Sequence, residues 1–177
     1  VKNEEQHIGY CLQSICDFLP NSEIIVINNN SKDRSIEIIN HFKKNNKLQS
    51  SNQNYLNIKV YNIDNYTPGK ALNLGVKKSS SSYIMIISSH CRITRLNFET
   101  IEKNLLTYSA IFGKQIPIWF GKRIQPRYVW SNFSDEQKVN MYSEYEKRYF
   151  FHNAFSFFLK KTLVDNPFDE DLVGKED

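Results

Sequence analysis

No apolar run in these 177 residues approaches the roughly 20 that a membrane-crossing helix needs, and no charged, apolar, small-residue leader opens the chain. Cysteine is scarce. Cys11, Cys16 and Cys91 form neither an even disulfide framework nor a CxxC pair, which predicts a reducing compartment and gives no zinc-ligand spacing. Runs of one charge are also missing: the net charge of +4 is spread along the chain, and no basic stripe interleaves with the aromatics. A nucleic-acid partner is therefore not expected, whereas an anionic small ligand or an anionic membrane surface suits the balance. There is no internal repeat, and no low-complexity tract beyond Ser79 to Ser82. The first residue is Val1 rather than Met, and the last two are Glu176 and Asp177, so a piece of a longer protein is expected.

What is present suits one domain with a real core: 40% of residues are hydrophobic and 24% charged, and much of the 14% aromatic content follows Trp119. The stretch Tyr83-Ile84-Met85-Ile86-Ile87 reads as a strand buried on both faces, with Ser88, Ser89, His90 and Cys91 at its polar end. In open α/β sheets ligands collect beyond the carboxyl ends of strands, so those four residues mark the candidate site. Before it come a helical period over Glu4 to Phe18, a strand over Glu23 to Ile27 and a helix on Ile36, Ile38, Ile39 and Phe42. A strand over Ile58 to Ile63 and a helix entered through Thr67-Pro68-Gly69 follow. That alternation predicts a Rossmann-like α/β domain with a mostly parallel central sheet flanked by helices. Further on, the spacing predicts a helix over Phe98 to Tyr108, and strands and turns over Ile111 to Gln125. A charged helix over Glu136 to Tyr149, a strand over Asn153 to Leu159 and a short helix over Lys161 to Val164 complete the pattern.

Four segments together resemble the family-2 glycosyltransferases, inverting enzymes of the GT-A fold, the nucleotide-diphospho-sugar transferase architecture. They are Asn3-Glu4-Glu5 with Ile8, Cys11, Leu12 and Ser14; Ile25 to Ser35; Gly69-Lys70-Ala71-Leu72-Asn73-Leu74-Gly75; and Phe168-Asp169-Glu170-Asp171 leading to Glu176-Asp177. The resemblance covers nearly the whole chain. It implies one catalytic domain over 1–177, with a nucleotide-sugar-binding half at 1–95 and an acceptor-side half at 96–177, and Val1 as the end of a first strand. It also implies a nucleotide-sugar donor and a saccharide or lipid-linked acceptor, in surface-polysaccharide or lipopolysaccharide assembly. The implied place is cytoplasmic, at the cytoplasmic face of a bacterial inner membrane, with peripheral membrane association through flanking segments. A non-catalytic domain of the same fold that binds a nucleotide sugar or glycan is the alternative.

By that resemblance Asp177 is the general base, with Glu176 beside it, and Asn3, Glu5, Asn28, Asn29, Lys70, Asn73, Ser88 and Ser89 form the donor site. Asn28 and Asn29 stand where the family often has carboxylates; an amide both donates and accepts, so base selectivity would change. Ser88 and His90 replace the usual Asp-x-Asp pair, giving Ser-Ser-His-Cys, close to a Ser-Ala-His-Cys form of the family. The implied cofactor is a divalent cation, Mn²⁺ or Mg²⁺, with His90 as its ligand. Imidazole suits Mn²⁺ better than Mg²⁺. Direct contact of His90 with the diphosphate, with Lys70, Lys122 or Arg123 as countercharge, is the metal-free alternative. Most of Trp119, Tyr128, Trp130, Tyr142 and Phe151 are expected in the core, and His152-Asn153 as a structural pair.

Overall fold

A computed structural model describes residues 1–45, 57–124, 137–144 and 147–172. The elements in order are α1 (Ile8–Phe18), β1 (Glu23–Asn28), α2 (Ser35–Asn45), β2 (Asn57–Asn62), α3 (Pro68–Lys78), β3 (Tyr83–Ile87) and α4 (Phe98–Leu105). After them come β4 (Ala110–Phe112), β5 (Ile118–Trp119), β6 (Lys122–Arg123), β7 (Tyr142–Ser143), β8 (Arg148–Tyr149), β9 (Phe155–Leu159) and α5 (Lys160–Asp165). The α/β alternation through β3 is as the periodicity predicts.

The pairing is mixed. β1 and β2 run parallel, Glu23 opposite Asn57 and Asn28 opposite Asn62, so both carboxyl ends face the same way. β9 lies between β3 and β4 and is antiparallel to each. Val1 adds a rung on the far edge of β1: its amino group donates to the Ile27 carbonyl at 2.7 Å, and the Asn29 N–H donates to the Val1 carbonyl at 2.9 Å. That is the hydrogen-bond pattern of a parallel neighbour. β3 is half-buried along its length rather than buried on both faces, and among the described residues β9 is its one hydrogen-bonded neighbour.

α1 buries Ile8, Cys11, Leu12 and Ile15, the i, i+3, i+4, i+7 stripe of an amphipathic helix. It meets Ile39 of α2, Val26 of β1, Ile58 of β2 and Ile93 in one core, while Val76, Phe158 and Leu163 form a second beneath α3 and α5. The helix starts at Ile8, after a turn, rather than at Glu4 where the helical period begins.

Two expectations fail in the second half. Tyr142–Ser143 and Arg148–Tyr149 pair as the antiparallel strands β7 and β8, not as parts of a charged helix: Tyr142 lies opposite Tyr149, their rings edge-to-face at 5.2 Å. Aromatic side chains favour such cross-strand pairs, and this contact outweighs the helical spacing of Val139, Tyr142 and Tyr149. Trp119 and Tyr142 are 67% and 41% exposed rather than core residues, because two-residue strands offer them no second layer. Phe151 does pack, against the second core, and His152 is buried against the rings of Phe112 and Phe150. Tyr128 and Trp130 lie outside the described residues.

At the amino ends of the strands, the Glu23 carboxylate accepts from Lys59 Nζ at 2.7 Å, from the Ser80 N–H at 2.7 Å and from Ser80 Oγ at 2.9 Å. It ties β1, β2 and the turn before β3 together. The Lys59 bond, then the Ser80 N–H, lowers its pKa to about 2, against some opposing desolvation. A carboxyl depressed on folding stabilises fully above its unfolded pKa, and that contribution is lost as pH falls through the folded value. Lys59 is 42% exposed and screened by water, so Glu23→Gln should cost about 1–2 kcal/mol at pH 7, less than the shift alone implies. Urea denaturation should show the gap to wild type closing between pH 5 and pH 2.

Candidate active site

The carboxyl ends of β1 and β3 meet the segment before α1, and that segment is sewn to the loop entering α2. Asn3 N–H donates to Ser31 Oγ at 3.1 Å and Lys32 N–H to Asn3 Oδ1 at 2.8 Å. Glu4 N–H donates to Ser35 Oγ at 2.7 Å, Glu5 N–H to Asp33 Oδ2 at 2.9 Å and Arg34 N–H to Glu5 Oε2 at 2.9 Å. Asn3 takes a positive φ of 54° to make the turn, a conformation asparagine tolerates better than most residues. Asp33 also accepts from the Ser35 N–H, the local bond expected of a residue leading into a helix. Desolvation pushes the Asp33 carboxyl up, but hydrogen bonds from Ser35 and from the Glu5 N–H outweigh it and leave its pKa lowered.

This sewing decides which predicted residues have side chains to spare. Asn3 and Glu5 spend theirs on the loop. Asn28 is buried, its Nδ2 donating to Asn62 Oδ1 at 2.8 Å and its Oδ1 accepting from the Ser31 N–H at 3.2 Å. Asn73 is engaged by the segment before the carboxyl terminus. Asn29 is half-buried at the end of β1, and Lys70 sits in the first turn of α3, where Thr67 caps and Pro68 opens the helix. The Lys70 ammonium has no partner among the described residues. Ser88 fixes the turn after β3 with its backbone: its N–H donates to Ala154, and its carbonyl accepts from the Cys91 N–H. Ser89 and His90 form that turn, His90 exposed. Lys122 and Arg123 lie on the exposed β5–β6 hairpin, and Glu176 and Asp177 lie outside the described residues.

One residue the sequence reading passed over takes a central place. Glu4, whose side chain is 21% exposed, sets Oε1 3.6 Å from His90 Nδ1. Its backbone is held by Ser35, so it bridges the turn after β3 and the start of α2. Spacing could not reveal this, because the partner is on a distant strand; the one available signal was its place inside Asn3-Glu4-Glu5. Behind the pair lies Cys11, its thiol pushed up to about 12 by burial, then by Cys91 and Glu4; burial likewise raises Cys91. Such thiols stay protonated at neutral pH and are poor nucleophiles and poor metal ligands.

The implied divalent cation can be tested against these donors. Among the described residues no three His, Cys, Asp or Glu side chains converge. Glu4 and His90 alone offer one carboxylate oxygen and one imidazole nitrogen at a separation that one ion could span. Two protein ligands fit an ion whose other positions are filled by phosphate oxygens and water, and the nitrogen favours Mn²⁺ over Mg²⁺.

Poly-beta-1,6-N-acetyl-D-glucosamine synthase of Staphylococcus epidermidis is 33% identical over 88 residues, 49% of this chain and 19% of that protein. The crystal structure of S. aureus TarS 1-349 superposes with a TM-score of 0.63 at 19% identity, covering 99% of this chain and 50% of that one. Its complex with UDP-GlcNAc gives 0.62 at 18% identity, covering 100% of this chain and 49% of that one. The chain thus spans about a fifth of the curated relative and half of the solved structures, with the same GT-A fold. The profile of Glycosyl transferase family 2 matches residues 1–165, and the chain belongs to that family.

Proposed function

We propose that this chain is the catalytic domain of an inverting glycosyltransferase that moves a sugar from a nucleotide-sugar donor to a saccharide or lipid-linked acceptor in cell-surface polysaccharide synthesis. The observation that carries the reading is the Glu4–His90 pair at the carboxyl end of β3, with Asn29 just after β1 and, on α3, Lys70, whose ammonium has no partner among the described residues. UDP-GlcNAc is the donor proposed, since a solved neighbour holds it and the curated relative is a poly-N-acetylglucosamine synthase.

In this reading Asn29 and the backbone of the Asn28–Ser31 turn face the nucleoside, and Lys70 meets the diphosphate. Glu4 and His90 would hold a divalent cation, which when bound supplies positive charge to the departing diphosphate. Asp177 takes the proton of the acceptor hydroxyl as that oxygen attacks the anomeric carbon from the face opposite the leaving group. Glu176 stands beside it. Membrane association and a cytoplasmic location belong to this proposal too; no helix among the described residues is long and apolar enough to cross a membrane.

Chemical denaturation with UDP, GDP, dTDP or CMP, each with and without Mn²⁺, tests the reading. The matching nucleotide at about ten times its Kd should add about 1.4 kcal/mol. UDP alone among the four should do so, and only with Mn²⁺ present. An equal shift without metal would move His90 to direct diphosphate contact, and no shift with any nucleotide would refute the donor site.

A further inference from the structure

Neither core includes a residue of the β5–β6 hairpin. Ile118 and Trp119 pair with Arg123 and Lys122, and the Ile124 N–H donates to the Pro117 carbonyl at 3.1 Å, closing a turn over Phe120 and Gly121. All four strand residues are exposed, and Phe120 at the tip is 90% exposed. Phe120 also takes a φ of 46°, the left-handed region that a bulky side chain rarely adopts. A ring in a strained turn that faces water contributes little to folding, so its use lies elsewhere. The Trp119 ring stands edge-on to it at 5.2 Å, and two large aromatic side chains therefore share the tip. Lys122 and Arg123 follow at once and Lys114 comes shortly before, while the nearest acids along the chain are Glu102 and Asp135. Residues opposite each other in a hairpin project on one side. Each side of this ribbon thus carries one apolar and one cationic side chain, Trp119 with Lys122 and Ile118 with Arg123.

We propose that the β5–β6 hairpin docks this chain on an anionic membrane surface, with Trp119 and Phe120 entering the headgroup region and Lys122 and Arg123 meeting lipid phosphates. Aromatic rings with one wet edge favour the boundary between water and lipid, and cations beside them are drawn to an anionic leaflet. Shape selects the partner. A specific protein interface takes about 800 Å² from each side, more than a tip with two residues in each strand can offer. A bilayer admits a convex tip, and headgroups that surround it suit cations on both sides of the ribbon. The inference deepens the membrane association of the proposed function by placing it within this chain, and it does not rest on sugar transfer.

Co-sedimentation of the whole chain with vesicles tests it. The chain should pellet with phosphatidylglycerol mixed equally with phosphatidylcholine and stay in solution with phosphatidylcholine alone. Tryptophan emission should shift to the blue on binding, and Trp119→Phe should abolish the shift. Phe120→Asn removes the apolar tip and should weaken binding about tenfold. Asparagine tolerates the left-handed turn, so its urea midpoint should not fall. Lys122→Gln/Arg123→Gln should weaken binding about 30-fold. Failure to pellet with the anionic vesicles, equal binding to phosphatidylcholine alone, or affinity unchanged in both variants would overturn the proposal. A blue shift that survives Trp119→Phe would place the contact elsewhere in the chain. Self-association lost in Phe120→Asn, without vesicle binding in the wild type, would give the tip to a second copy instead. Stabilisation by UDP with Mn²⁺, measured on the same samples, keeps the two readings apart. Vesicle binding without it refutes the donor site alone, and stabilisation without vesicle binding refutes the docking alone.

Discussion

Truncating Ile39 to alanine is expected to destabilise the protein by about 2–5 kcal/mol, the range for a large aliphatic side chain removed from a packed core. Ile39 has no exposed surface and sits where α1, α2, β1 and β2 converge, against Ile8, Leu12, Ile15, Val26 and Ile58. Collapse around the gap is hindered, since the two helices and the strand pair are each held by their own hydrogen bonds. The loss should also reach the site. Ser35, equally buried, is one turn earlier on the same inward face of α2, and its hydroxyl holds the Glu4 N–H beside His90. Ile39→Ala should therefore lower the urea midpoint and weaken nucleotide binding together, whereas Ile39→Val should cost about 0.5–1.5 kcal/mol. A midpoint shift worth less than about 1 kcal/mol for the alanine would mean the core is not closed there.

Gly69→Ala should destabilise by about 3 kcal/mol, although alanine is the better helix former. In an exposed helix the exchange would gain up to about 1 kcal/mol. Here the new Cβ would meet the Asp169 carbonyl and come within 3.1 Å of Glu170 Cα, and both are backbone that cannot swing aside. Relief requires moving the Phe168–Asp171 segment off α3, which breaks the Asn73 and Thr67 bonds to it. Overpacking of this kind costs about 1–3 kcal/mol, and each lost hydrogen bond adds about 1 kcal/mol, so the clash outweighs the propensity. Thermal and urea denaturation read the sign directly: a variant more stable than wild type would show that the segment does not lie against α3.

The first half of the fold was legible because its signals are local. The stripe of Ile8, Cys11, Leu12 and Ile15, the β-branched run at β1 and the Thr67-Pro68 entry to α3 each declare an element within a few residues. The second half was harder to read for the opposite reason. Tyr142 and Tyr149 fit a helical face as well as a cross-strand pair, and only the hairpin register chooses between them. The site divides in the same way. The segments that form it stood out as motifs, yet Asn3, Glu5, Asn28 and Asn73 proved to have side chains turned to neighbouring backbone and polar groups, while Glu4 faces His90.

By itself the sequence determined the α/β class, the family and the set of polar residues at the strand ends, because periodicity, caps and short motifs are written over a few positions of one chain. The tertiary structure decided which of those residues are committed and which are free. An amide or carboxylate looks the same in sequence whether it is to meet a ligand or a loop. Its partner, far along the chain, is set only when β3 comes to lie beside α1 and the Phe168–Asp171 segment comes down on α3.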